Sequence, residues 1–300
     1  MDGLQQQTDG PEPAAASHPT AWRRFRRSPS GTLGLAALAT LLLLGLLAPV
    51  ISPYDPLAQV GPSLQAPSLA HPFGLDEIGR DILARVLVGA GPSLFTAIGA
   101  AVLAAAIGTP VGIISGYLGG LADAATMRVT DFILALPGIL SALVIIVVLG
   151  AGTDKLTLAI GFSAFPAFAR LARVSTLALK GRAFVRAAQI MGASRLDIML
   201  HTILPNILPP LIVQVAVTAS VAVLATAALS FLGLGAPPPA PSWGAMLQVS
   251  RSYLYQAPLY GLFPGLALAL TVASFDAIGR GLQAALGQTG PARNRLSGVI

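Results

Sequence analysis

Long uncharged apolar runs alternate with short polar segments along this chain. Five runs stand out, at residues 33–51, 94–114, 132–149, 203–234 and 257–275. At about 1.5 Å per helical residue, runs of this length match a hydrocarbon core about 30 Å thick. A sixth run, 156–169, is short, is interrupted by Pro166 and lies between Lys155 and Arg170. It spans only if the charged ends snorkel toward the interfaces. The pattern predicts an all-α integral membrane protein with six transmembrane helices.

Composition agrees. Hydrophobic residues make up 54% of the 300 residues and charged residues 10%, against roughly 25% charged in soluble domains. The run at 33–51 is too long for the apolar region of a secretory signal, so it reads as a first span. Residues 1–20 have little to bury and read as a disordered tail. Trp22-Arg23-Arg24-Phe25-Arg26-Arg27 then reads as a basic, aromatic anchor at a lipid bilayer surface. The chain divides into a tail and anchor (1–30), a first transmembrane helix (31–52), a Pro-rich extracytoplasmic segment (53–93), a five-helix core (94–285) and a tail (286–300).

Charge sets the expected orientation. With six spans and the N-terminus inside, the cytoplasmic side holds fourteen of the eighteen basic residues. These are Arg23, Arg24, Arg26 and Arg27, then Arg128, then Arg170, Arg173, Lys180, Arg182, Arg186 and Arg195, and finally Arg280, Arg293 and Arg295. If 156–169 did not span, the six-charge segment would face outward and the bias would collapse. Both termini are therefore expected in the cytoplasm.

The most polar stretch among the spans, 183–206, reads AFVRAAQIMGASRLDIMLHTILPN. Phe184, Ala187, Ala188 and Met191 recur at helical spacing and share one face. Gly192 falls where that helix would end. Ser194 can cap a second helix, with Asp197 near its positive end. The residues resemble the "EAA" loop of ABC importer permeases, in which Glu-Ala-Ala is followed by Gly and then by a hydrophobic-x-Leu-Pro ending. Ala187, Ala188, Gly192, Leu204 and Pro205 match, whereas Arg186 stands where the family has Glu.

Further motifs carry the same resemblance. His71-Pro72-Phe73-Gly74-Leu75-Asp76-Glu77-Ile78-Gly79-Arg80-Asp81 is similar to a segment after the first span in the dipeptide/oligopeptide/nickel branch, with Leu75 in place of Thr. Gly116-Tyr117-Leu118-Gly119-Gly120 with Asp123, Arg128 and Asp131 agrees, as does Ser242-Trp243-Gly244. The C-terminal Gly279-Arg280-Gly281-Leu282-Gln283-Ala284 departs from the family's Gly-Asp-Gly-Leu-Arg-Asp. The long segment after span one resembles the C-type permease of the branch.

The resemblance implies the type I ABC importer permease fold and a heterodimer with a homologous B-type permease. It also implies an extracytoplasmic substrate-binding protein, and two ABC ATPase subunits docked on a coupling loop at 174–206. Phe184, Arg186, Ala187, Ala188, Gly192, Ala193, Leu204 and Pro205 would form the docking site. The implied cargo is a short peptide, a dipeptide or oligopeptide; nickel chelates and glutathione are other cargoes of the branch.

Chemistry of the chain's own is not expected. There is no cysteine, which removes disulfides and thiol nucleophiles. Neither Lys155 nor Lys180 follows a glycine, so no Gly-Lys-Ser/Thr phosphate loop exists. ATP and Mg are accordingly expected on partner subunits, with no cofactor in this chain. His18, His71 and His201 are scattered, and His71 beside Pro72 reads as structural. The basic residues form no aromatic-interleaved patch for nucleic acid. An ion-coupled secondary transporter would need acidic residues at membrane depth, and the spans as read contain none. Gln214 and Thr218 are candidates for the translocation path, with Ser220, Thr226 and Ser230 read as bonds to neighbouring helices.

Overall fold

The computed structural model describes residues 21–287. The tail at 1–20 and all but the first residues of the tail at 286–300 lie outside the described residues. Among the described residues there are helices and connecting segments, and no named strand. A short amphipathic helix α1 (Ala21–Arg26) leads into α2 (Pro29–Ile51), which Ser28 caps by accepting the Gly31 N–H. After the segment at 52–81 comes α3 (Ile82–Leu118), about 55 Å long at the standard rise. It begins well before the apolar run at 94–114.

The run expected at 132–149 is not one straight helix. It is divided between α4 (Gly120–Ala135) and α5 (Gly138–Leu149), which meet at 93°. Pro137 explains the break, because its ring pushes Leu136 out of the helical region and removes a backbone donor. The weak run at 156–169 is the middle of a continuous 28-residue helix, α6 (Thr153–Lys180). Pro166 stays inside it, and the neighbouring α3 covers that stretch.

Two short helices follow, α7 (Ala183–Ile190) and α8 (Arg195–Asp197). A π-helical turn (Ile198–Ile203) then runs directly into α9 (Leu204–Phe231). Helix α10 (Trp243–Ser250) and α11 (Pro258–Ala285) complete the fold. Among the described residues four helices are long and apolar enough to cross a membrane: α2, α3, the continuous Arg195–Phe231 and α11. The bent pair makes five. Helix α6 is the sixth long element by length, and its charged ends set it apart in composition.

The core is built from close helix approaches. Helices α3 and α6 make the most extensive contact. A Cβ at Gly108 would stand 2.3 Å from the Phe165 carbonyl oxygen, and one at Gly112 2.2 Å from that of Ala169. Only hydrogen fits between these backbones. Ala100 and Ala104 are fully buried on the same helix. Helices α2 and α11 cross as tightly, with Gly31 against Gly281 and Gly34 against the Ser274 carbonyl. The departing C-terminal motif therefore sits inside α11, where Arg280 pairs with Asp276 one turn earlier.

Candidate functional site

The segment 183–206 is a helix-turn-helix. Helix α7 ends in a Schellman turn: Ala193 N–H reaches the Ala188 carbonyl at 3.1 Å and Gly192 N–H reaches Gln189 at 3.1 Å. Gly192 has φ +81°, the left-handed conformation that favours glycine at this position. A Cβ there would meet nothing within 4 Å, so the requirement is backbone conformation and not space. Ser194 caps α8, its Oγ accepting the Asp197 N–H at 3.1 Å. Asp197 in turn holds the His201 ring at 2.9 Å.

Burial separates the expected residues. Phe184, Arg186, Ala187 and Gly192 are exposed, and Ala188, Ala193 and Leu204 are half-buried against the core. Pro205 is exposed at the start of α9. The residue that anchors α7 is Val185, fully buried, which sequence reasoning missed. It joins Ile198, Ile203 and Ile207 in a cluster with Ile113 and Tyr117 of α3 and Phe165 and Phe168 of α6. Ile190, Met191, Leu196 and Leu200 point out as large exposed apolar side chains, with Arg186 and Arg195 also exposed. This end of the molecule thus carries an apolar surface flanked by arginines.

Leu204-Pro205 is not the loop's exit. The chain from Arg195 to Phe231 is one continuous helical element. Pro205 lies inside that element, and the π turn just before it lets the helix continue past the missing backbone donor. Further along α9, Gln214 and Thr218 line a cavity of about 340 Å³. Its other walls come from Leu134, Gly138 and Ile139 on one side and Ile160 and Ser163 of α6 on the other. Gln214 Nε2 donates to Thr218 Oγ1 at 3.3 Å. Of the remaining polar residues in α9, Ser220 bonds the Val272 carbonyl of α11 at 3.3 Å, as expected. The buried Thr226 hydroxyl has no hydrogen-bond partner among the described residues.

Beside the loop, Asp123 in the first turn of α4 accepts both Arg173 Nε at 2.5 Å and Arg173 Nη2 at 2.6 Å, and it also accepts the Ser115 hydroxyl. Asp131 pairs with Arg170 at 2.6 Å in a more exposed setting.

The far end of α3 holds a second charged cluster. Asp76, fully buried, accepts Arg80 Nε at 2.6 Å and the Arg80 and Ile78 backbone N–H groups. Glu77 bridges Arg80 and the Tyr260 hydroxyl of α11, the latter at 2.6 Å. Asp81 caps α3 through the Ala84 N–H at 2.8 Å and holds His71 Nδ1 at 2.9 Å. Gly79, at φ +84°, turns so close to the chain that a Cβ would lie 2.1 Å from the Gly61 carbonyl. The His-Pro-Phe-Gly…Gly-Arg-Asp motif is thus a capped, ion-paired turn fastened to α11. Among the described residues no group of three or more His, Asp or Glu side chains could hold a metal.

The described residues thus form a helical bundle of long apolar elements, with a helix-turn-helix at one end and a cavity along the helix that continues it. The chain belongs to the binding-protein-dependent transport system inner membrane component family, whose model matches residues 108–289. Residues 20–69 match the N-terminal TM domain of oligopeptide transport permease C. The glutathione transport system permease protein GsiD of Escherichia coli O1:K1 / APEC is 42% identical over 267 residues, 88% of each chain. Its counterpart in Shigella dysenteriae serotype 1 is 41% identical over the same coverage. In structure, a chain of the inward-facing MetNI methionine ABC transporter aligns with a TM-score of 0.55 at 20% identity, covering 68% of this chain and 96% of that one. That last likeness concerns the fold. The protein is a permease of an ABC importer, a multi-pass component of a bacterial inner membrane.

Proposed function

We propose that this subunit pairs with a homologous B-type permease to pass short peptides across the membrane. Two ATPase subunits dock on 183–206, and an extracytoplasmic binding protein delivers the cargo. One observation carries the reading: the second limb of the docking segment runs without a break into α9, and α9 lines the cavity at Gln214 and Thr218. Displacing the Ser194-capped end therefore displaces the cavity wall, with no flexible linker between to absorb the motion. The exposed Ile190, Met191 and Leu196 supply apolar area for a partner, and Arg186 and Arg195 supply charge at its rim. In this orientation six spans place both termini in the cytoplasm and the Asp76 cluster outside.

Glutathione, itself a tripeptide, is a second reading of the cargo, favoured by the 42% identity to GsiD. The test is uptake by proteoliposomes holding both permeases and the ATPase subunits, supplied with the binding protein. ATP-dependent accumulation of labelled dipeptides or tripeptides is expected, and accumulation of glutathione alone would select the second reading. Accumulation of a nickel chelate without any peptide, or uptake driven by an ion gradient without ATP, would overturn both. Because the chain has no cysteine, orientation is read by single substitutions. Gln65→Cys and Tyr255→Cys should react with an impermeant thiol reagent from outside, and Arg186→Cys should not.

A further inference from the structure

The Gly-Tyr-x-Gly-Gly…Asp motif has no part in docking, in the cavity or in the far-end cluster, yet its side chains converge on the loop. Tyr117, in the last turn of α3, lies beneath the Lys180 ammonium at 5.7 Å from the ring centroid. Its hydroxyl takes a long 3.4 Å hydrogen bond from Gln189 of α7. One turn of chain further on, Gly119 and Gly120 both adopt positive φ, +70° and +64°. That sharp, otherwise uncovered turn is locked by Asp123, which ties α4 to Arg173 of α6 with two bonds and to Ser115 of α3 with a third.

Each of these polar links joins different helices. Two-point guanidinium–carboxylate pairs are directional as well as strong, and this one is partly shielded, with side chains 28% and 16% exposed. Gly116 keeps α3 against the Arg173 backbone, where a Cβ would lie 2.9 Å from the carbonyl oxygen. The ends of α3, α4 and α6 cannot slide past one another without breaking the pair.

We infer that Tyr117 and Asp123 are positioning residues for transport: Tyr117 holds the first helix of the docking segment, and the Asp123–Arg173 pair makes the ends of α3, α4 and α6 move with it as one body. The α9 wall moves by helix continuity and the opposite wall moves through this clamp, so both sides of the cavity respond to the ATPases together. The inference rests on the reading of 183–206 as the docking segment.

The experiment uses the assembled complex with a cysteine at position 186, cross-linked to the ATPase subunit as a measure of docking. Three quantities are read: cross-linking yield, ATP hydrolysis with loaded binding protein, and peptide uptake. Asp123→Asn and Arg173→Gln should keep cross-linking and keep hydrolysis within about twofold, while uptake falls about tenfold, so that more ATP is spent per peptide. The charge-swapped pair Asp123→Arg with Arg173→Asp should recover about half of the uptake. Tyr117→Phe, which keeps the ring under Lys180, should raise the ATP-to-peptide ratio about twofold. Unchanged uptake in the single variants would overturn the clamp and leave docking intact. A parallel fall of cross-linking, hydrolysis and uptake, unrelieved by the swap, would also overturn it by reducing the pair to a folding contact. Failure of the parent complex to cross-link would overturn the docking reading itself, and this inference with it.

Discussion

Trp243 Nε1 donates a 2.9 Å hydrogen bond to the carbonyl of Val86, pinning α10 to α3 across the far end of the molecule. The indole is 1% exposed. Trp243→Phe should remove the bond and some volume, at about 1–3 kcal/mol. Trp243→Ala should open a cavity at about 3–5 kcal/mol. Thermal unfolding of the detergent-purified complex measures both, and equal melting temperatures for the two variants would contradict this packing.

Gly112 and Gly91 lie on the same helix and predict opposite outcomes. A methyl group at Gly112 would overlap the Ala169 carbonyl, whereas one at Gly91 meets nothing within 4 Å. Gly112→Ala should force α3 and α6 apart and destabilise by about 1–3 kcal/mol or more. Gly91→Ala should be neutral or stabilise by up to about 1 kcal/mol, through the helix preference of alanine. Melting temperature and membrane abundance of the two variants decide.

In the 183–206 segment, Gly192→Ala should cost about 1 kcal/mol through positive φ alone. Gly192→Asp should also lose ATPase co-purification or uptake. Arg186 is exposed and its charged head stays in water, so Arg186→Ala should retain most uptake; exposed ion pairs contribute only about 0–1 kcal/mol. The reverse order of effects in an uptake assay at matched membrane levels would show that charge, not the turn, governs docking.

The helical class and the long apolar elements are legible in the sequence because a bilayer demands about twenty apolar residues wherever a helix crosses it. The turn at Gly192 and the cap at Ser194 are legible for a similar reason, since they are met by residues next to each other in the chain. The motifs mark the helix-turn-helix at 183–206, and the face that Phe184, Ala187 and Met191 share is exposed, while Val185 anchors the helix from its other side. That choice was made by the pocket that α3 and α6 form beneath α7, which no local pattern describes. The π turn that merges the loop with α9 and the cavity between α6 and α9 also depend on how the helices cross. So does the partner of Asp123, since Arg173 is fifty residues away in the chain. Two charges that far apart meet only because Gly108, Gly112 and Gly116 let two backbones approach to contact and so set the register of α3 against α6.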